Sequence, residues 1–202
     1  MQYITLVGDV HGLFNQFLDI SESHKNKIIQ LGDLGIGFGK NPILPKEISF
    51  IHGNHDNPEE CKVYSNFLGR FGYASTTEIF HVSGAESIDK NYRTPGMSWW
   101  YNEQLSLQEM DDCLSLYRKT KPKIVLSHDA PFFLYPELLR AGGNFGKSKR
   151  NPTNTFLEAL FEYHQPKEWY FGHFHVSYGV TYQGCNFQCL NELETKTIQV
   201  FS

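Results

Sequence analysis

Residues 3–12, YITLVGDVHG, run from a β-prone apolar segment directly into Gly8-Asp9-Val10-His11-Gly12, and the following stretch, LFNQFLDI, has the apolar spacing of a helix. The unit reads as strand, loop, helix, with a carboxylate and an imidazole in the loop. The same design returns in KIIQLGD (27–33), ISFIHGN (48–54), KIVLSHD (123–129) and WYFGHFH (169–175). Each apolar run ends in a polar tail beside glycine or another small residue. When several strands of an α/β chain end this way, their tails converge in one crevice above the sheet. Function is expected there.

Between these runs, NPEECKVYSNFLGRFG (57–72) predicts a helix starting at Asn57, with Pro58 in its first turn. SLQEMDDCLSLYRKT (106–120) predicts an amphipathic helix capped by Ser106 and Glu109, with Leu107, Met110, Leu114 and Tyr117 on one face. TFLEALFEYHQ (155–165) predicts another. TEIFHVSGAES, VSYGVTYQGCNFQCLNE and TKTIQVF are β-prone with turn signals between them, which suggests a second, more antiparallel sheet. Residues 141–152, AGGNFGKSKRNP, read as a loop. A nucleoside-triphosphate-binding pattern ending at Gly146-Lys147-Ser148 would need glycine where Ala141 stands, so that function is rejected.

The 202 residues, 40% apolar and 20% charged, fit one compact domain spanning 1–202 without a large cap. No run approaches the roughly 18 apolar residues of a membrane span, and no basic-then-apolar leader opens the sequence, so a cytoplasmic location and no membrane partner are expected. A net charge of -4 gives no general case for nucleic-acid affinity, although a local basic groove is compatible with it. Cys61, Cys113, Cys185 and Cys189 form no C-x-x-C pair and are expected as reduced thiols, with Cys185 and Cys189 close enough to meet across a hairpin.

Any one of the polar tails would be unremarkable, because Asp and Asn in turns commonly bond nearby backbone amides. Five in order, each after a predicted strand, point to a metal cluster. Oxygen and nitrogen donors without thiolates suit manganese, iron, zinc or nickel, with manganese the first expectation.

The ordered motifs D-x-H (Asp9, His11), G-D (Asp33), G-N-H-D (Asn54, His55, Asp56), H (His128) and G-H-x-H (His173, His175) resemble those of the calcineurin-like metallophosphoesterases, from Gly8 to His175. The resemblance implies a four-layer αββα sandwich of two mixed sheets, with two ions at the carboxyl ends of the central strands. Asp9, His11 and His175 would hold one ion, and Asn54, His128 and His173 the other. Asp33 would bridge them. Two cations roughly 3.5 to 4 Å apart would share a water, bring it to hydroxide near neutral pH and neutralise the phosphate oxygens it attacks.

His55 is the candidate for protonating or stabilising the leaving oxygen, with Asp56 holding its other nitrogen. The alternatives are a further ligand or a buried turn residue. Asp129 is expected to bond a neighbouring histidine. His24, His52, His81 and His164 are expected to be structural. Arg93 is a candidate phosphate contact, Lys147, Lys149 and Arg150 a basic rim, and Trp99, Trp100 and Tyr101 core residues or a stacking surface. The reading is a metal-dependent phosphate-ester hydrolase, a diesterase for nucleotide or nucleic-acid-type substrates. A phosphomonoesterase and a non-catalytic metal-binding scaffold are the alternatives.

Overall fold

A computed structural model describes residues 2–39, 41–143 and 149–200. Among those residues ten strands are assigned: β1 (Gln2–Val7), β2 (Lys27–Leu31), β3 (Ile48–Ile51), β4 (Phe71–Ala74), β5 (Ile79–Val82), β6 (Ile124–Ser127), β7 (Glu168–Phe171), β8 (Tyr178–Tyr182), β9 (Cys185–Cys189) and β10 (Thr195–Val200). The helices are α1 (Phe14–Ser23), α2 (Pro58–Cys61), α3 (Leu107–Thr120), α4 (Tyr135–Arg140) and α5 (Pro152–Tyr163).

The strands divide into a four-stranded sheet, β10-β1-β2-β3, and a six-stranded sheet, β4-β5-β6-β7-β9-β8. Both are mixed. The near-continuous apolar runs of β1, β2 and β6 are explained by cover on both faces. With side chains alternating between faces, Ile4, Leu6, Ile29 and Leu31 of one sheet meet Ile79, Ile124, Leu126 and Tyr170 of the other. The intervening residues face outward. Ile28 and Phe50 pack with Phe17 of α1 and Cys61 of α2, while Phe80, Val125, Trp169 and Phe171 pack with residues of α3, α4 and α5. The layer order is helix, sheet, sheet, helix, as the family resemblance implies.

Parallel register sets the strand ends level. Val7 pairs with Gln30, and Leu31 with Ile51, so the turns after β1, β2 and β3 emerge side by side. Leu126 likewise pairs with Tyr170, which puts the His128 turn beside Gly172. The buried Gln30 amide donates to the carbonyls of Gly8 and Gly32 and accepts from the Gly32 N–H, tying two of these turns together.

Four expectations change. The TKTIQVF strand, β10, lies antiparallel to β1 in the first sheet, and the second sheet has a parallel centre, β5-β6-β7-β9. Asn57 and Pro58 do start a helix, but α2 ends at Cys61, because residues 66–68 pair with the edge of β3 through Phe50. Leu107 is 82% exposed, and the buried face of α3 runs through Met110, Cys113 and Tyr117. Cys185 and Cys189 lie on the same strand rather than across a hairpin, and all four cysteines are free and buried. No helix among the described residues is long and apolar enough to cross a membrane.

The α3 start is the one the sequence predicts: Ser106 accepts from the Glu109 N–H, and Glu109 accepts from the Ser106 N–H at 2.8 Å. Ser106→Ala should therefore lower stability by about 1 kcal/mol. A lower urea midpoint at unchanged slope is the expected result.

Candidate metal centre

The residues that end the strands turn sharply, and several adopt left-handed backbone themselves: His11 (φ 47°), Asp33 (φ 56°), His173 (φ 69°) and His175 (φ 47°). Such conformations cost free energy in non-glycine residues and cluster at functional sites. Glycine contributes room. A Cβ on Gly53 would overlap the Asp33 carboxylate and the His128 ring, and one on Gly172 would overlap the Asp9 carboxylate. Neither glycine has a positive φ, so space alone excludes a side chain at these two positions.

Asp9, His11, Asp33, His55, His128, His173 and His175 meet in one cluster, with donors from both sheets, and Asn54 lies buried on the loop beside His55. His175 Nε2 lies 3.0 Å from Asp9 Oδ2 and 2.8 Å from His11 Nε2. His128 Nε2 lies 3.2 Å from Asp33 Oδ1, and His11 Nε2 3.9 Å from Asp33 Oδ2. Donor atoms gather in the sets Asp9–His11–His175, His11–Asp33–His55 and Asp33–His128–His173, each within 4.8 Å.

This arrangement fits divalent cations on its own terms. His128 Nδ1 donates to the Leu31 carbonyl at 2.8 Å, which fixes the tautomer and leaves Nε2 facing the cluster. His128 Nε2 and Asn54 Oδ1 are buried without an aligned hydrogen-bond partner, as expected of atoms aimed at an ion. Asp9 and Asp33 are anchored as well, accepting from the backbone N–H groups of His173 and His55 respectively.

Several side chains are placed differently from expectation. Asp56 does not serve the His55 ring: its carboxylate accepts four backbone N–H groups, from Leu34, Gly35, Ile36 and Gly53, and so holds the Asp33 and Asn54 loops together. The group beside His55 is Arg93, whose Nη2 donates to His55 Nε2 at 2.6 Å while Nε pairs with Asp89 at 2.7 Å. Arg93 thus combines the surface ion pair with a place at the centre. Asp129 accepts from the Tyr135 hydroxyl and the Ala130 N–H, not from a histidine. His52 is structural, accepting from Arg70 at Nε2 and donating to the Gly53 carbonyl. Trp100 is buried, whereas Tyr101 is 80% exposed. Lys149 and Arg150 border a groove beside His173; Lys147 lies outside the described residues.

Three residues near the centre were not singled out by the sequence. Phe38 sits 45% exposed at the rim, 6.5 Å from His55 ring to ring and tilted by 28°. The glycine-rich run around it, GDLGIGFG, was an available signal. Ser87 and Glu103, both buried, stand behind Asn54 in the segment between β5 and α3, and no motif marks them.

The family model for calcineurin-like phosphoesterases matches residues 3–177, and the chain belongs to that family. It is therefore a phosphoester hydrolase by descent, of a metal-dependent kind. No curated protein matches the sequence. Among solved structures, TT1561 of Thermus thermophilus is 12% identical, with 97% of each chain covered and a TM-score of 0.56. GAP50, described as the anchor in the inner membrane complex of Plasmodium, is 9% identical over 94% of this chain and 71% of that one, with a TM-score of 0.52. These two likenesses show the fold. The phosphopantetheinyl hydrolase of Mycobacterium tuberculosis is 12% identical over 95% and 90%, with a TM-score of 0.47.

The electrostatics of the donor cluster bear on how cations would bind. Burial disfavours charge on Asp9, yet hydrogen bonds from His11 and His175 hold its carboxyl well below the usual range. Burial also opposes the His128 imidazolium, but the Asp33 carboxylate holds the His128 pKa up at about 10. His173, buried and facing a charged His128, is driven down to about 3 and stays neutral. A cation that took His128 as a ligand would have to displace its proton, because only the neutral ring coordinates. Below the His128 pKa, affinity should therefore rise with pH, by at least about tenfold per unit between about pH 6 and 8. Manganese titrations across that range test this; a pH-independent affinity would contradict the assignment.

Proposed function

We propose that this chain hydrolyses phosphate diesters of the nucleotide or nucleic-acid type with two divalent ions, manganese first among them. Asp9, His11 and His175 would hold one ion, Asn54, His128 and His173 the other, and Asp33 would be shared between them. When bound, two such ions neutralise phosphate oxygens and acidify a shared water. The remaining work falls to the chain. Asp56 keeps the Asp33 and Asn54 loops in register, and His55 and Arg93 face the leaving oxygen. Arg93 is permanently charged and can only donate, so the His55 Nε2 it contacts is an acceptor. Substrate phosphate draws Arg93 into a bidentate contact; His55, whose pKa is held below its usual value by burial and by the Arg93 charge, can then take up a proton from water at Nε2 and pass it to the leaving oxygen.

The observation that carries the diester reading is that the donor cluster borders two separate grooves. One, of about 320 Å³, is lined by His11, Phe14, Phe38 and His55. The other, of about 490 Å³, is lined by Ser87, Lys90, Lys149, Arg150 and His173 among others. A diester has two substituents on phosphorus and uses two grooves; a monoester needs one. The first groove offers aromatic faces to a planar base, and the second offers cations to a neighbouring phosphate, although Lys90 and Arg150 also pair with Glu86 and Glu158. The same fold in an anchor protein supports a scaffold reading, but here every family ligand position is filled.

The deciding assay compares a nucleoside diester with the matching monoester at saturating manganese or nickel. Higher kcat/KM on the monoester would replace the diesterase reading, and no turnover of either would favour the scaffold. Asp33→Asn should lose both metal content and turnover. His55→Ala should retain metal but slow turnover by about 10² to 10⁴, most for poor leaving groups. Phe38→Ala should raise KM for nucleoside diesters by about tenfold and leave small alkyl diesters unaffected; an equal change for both would remove the stacking role.

A further inference from the structure

We propose that Ser87 and Glu103 form a positioning pair that sets which end of the Asn54 side chain faces the cation site. The inference rests on reading Asn54 as a ligand. A carboxamide presents an oxygen that can bind a cation and an NH₂ that cannot, and the two ends have nearly the same shape. Something must choose between them.

The choice follows from the hydrogen-bond polarity behind Asn54. Glu103, almost fully buried, accepts the Ser87 N–H at Oε1 (2.8 Å) and the Ser87 hydroxyl at Oε2 (2.6 Å). With both carboxylate oxygens accepting, the hydroxyl proton is committed to Glu103. The Ser87 oxygen then has only lone pairs for Asn54, and Asn54 Nδ2 donates to it at 3.3 Å. The amide is turned so that Oδ1 points the other way, where it is buried and has no protein partner. Turning it over would set Oδ1 against the lone pairs of Ser87 and the NH₂ group against a cation.

Glu103 and Ser87 sit in a segment, 84–104, that is itself held firmly. Arg70 reaches the carbonyls of Asn102 and Gln104 while pairing with Glu109 of α3, and the Gly84 N–H donates to the His52 carbonyl. Ser87 and Glu103 are placed to act through Asn54, and Ser87 also lines the basic groove.

The test is cobalt titration of the full chain, followed by visible absorption and elemental analysis of bound metal. Wild type should take up two equivalents. Ser87→Ala should keep one at wild-type affinity and bind the other about tenfold to a hundredfold more weakly, whereas Ser87→Thr, which keeps the hydroxyl, should restore it. Wild-type affinity for both equivalents in Ser87→Ala would overturn the proposal. A second background separates positioning from simple structural support. In Asn54→Asp both outer oxygens are ligands, so orientation no longer matters and adding Ser87→Ala should cost no further affinity. A further loss as large as in the wild-type background would mean that Ser87 only supports the fold, and would also overturn the proposal. A wild-type chain that binds a single cation would instead overturn the two-ion reading, and this inference with it.

Discussion

The structure depends on burying the carboxylates of Asp9 and Asp33 where the two sheets come together. An isolated carboxylate in such a place would be strongly disfavoured or would take up a proton. Both are nevertheless held ionised, and imidazoles act on them most: hydrogen bonds from His11 and His175 and the charge of His128 for Asp9, and the charges of His128, His55 and His11 for Asp33. Imidazoles can give up their protons to a metal where lysine and arginine cannot. Buried acids compensated by histidine are a charge arrangement that a cation improves rather than disrupts.

Neither sheet makes this centre alone. The loops after β1, β2 and β3 supply Asp9, His11, Asp33 and Asn54, and those after β6 and β7 supply His128, His173 and His175. The apolar layer of Ile4, Leu6, Ile29 and Leu31 against Ile124, Leu126 and Tyr170 brings the two sets together, so that packing sets the spacing of the donors. Asp56 reinforces the same boundary by collecting backbone donors from two loops. A carboxylate used this way acts only through what it holds in place.

The segment between β5 and α3 adds what the strand ends lack. It brings Arg93 to His55, Ser87 to Asn54 and Lys90 to the basic groove. It is fastened by Arg70 rather than by a core of its own, and it leaves Tyr92, Met97 and Tyr101 exposed. Substrate selection in such a protein resides in segments of this kind, since the ligand loops serve any phosphate ester.

The five strands, their polar tails and the capping of α3 were legible from the sequence because they obey local rules: β-prone apolar runs, turn residues at their ends and a reciprocal cap. The candidate donor types were legible for the same reason, each lying beside its own glycine or small residue. The sheet that β10 joins, the early end of α2 and the partners of Asp56, Asp129 and Arg93 were not, because each is decided by a neighbour distant along the chain. A side chain's residue type limits what it can bond to, but only packing chooses which backbone amide, hydroxyl or imidazole comes within about 3 Å of it. The sequence by itself determined which chemistry is available at the strand ends; tertiary structure decided which groups hold it in position, since hydrogen bonds require a partner at a definite distance and angle.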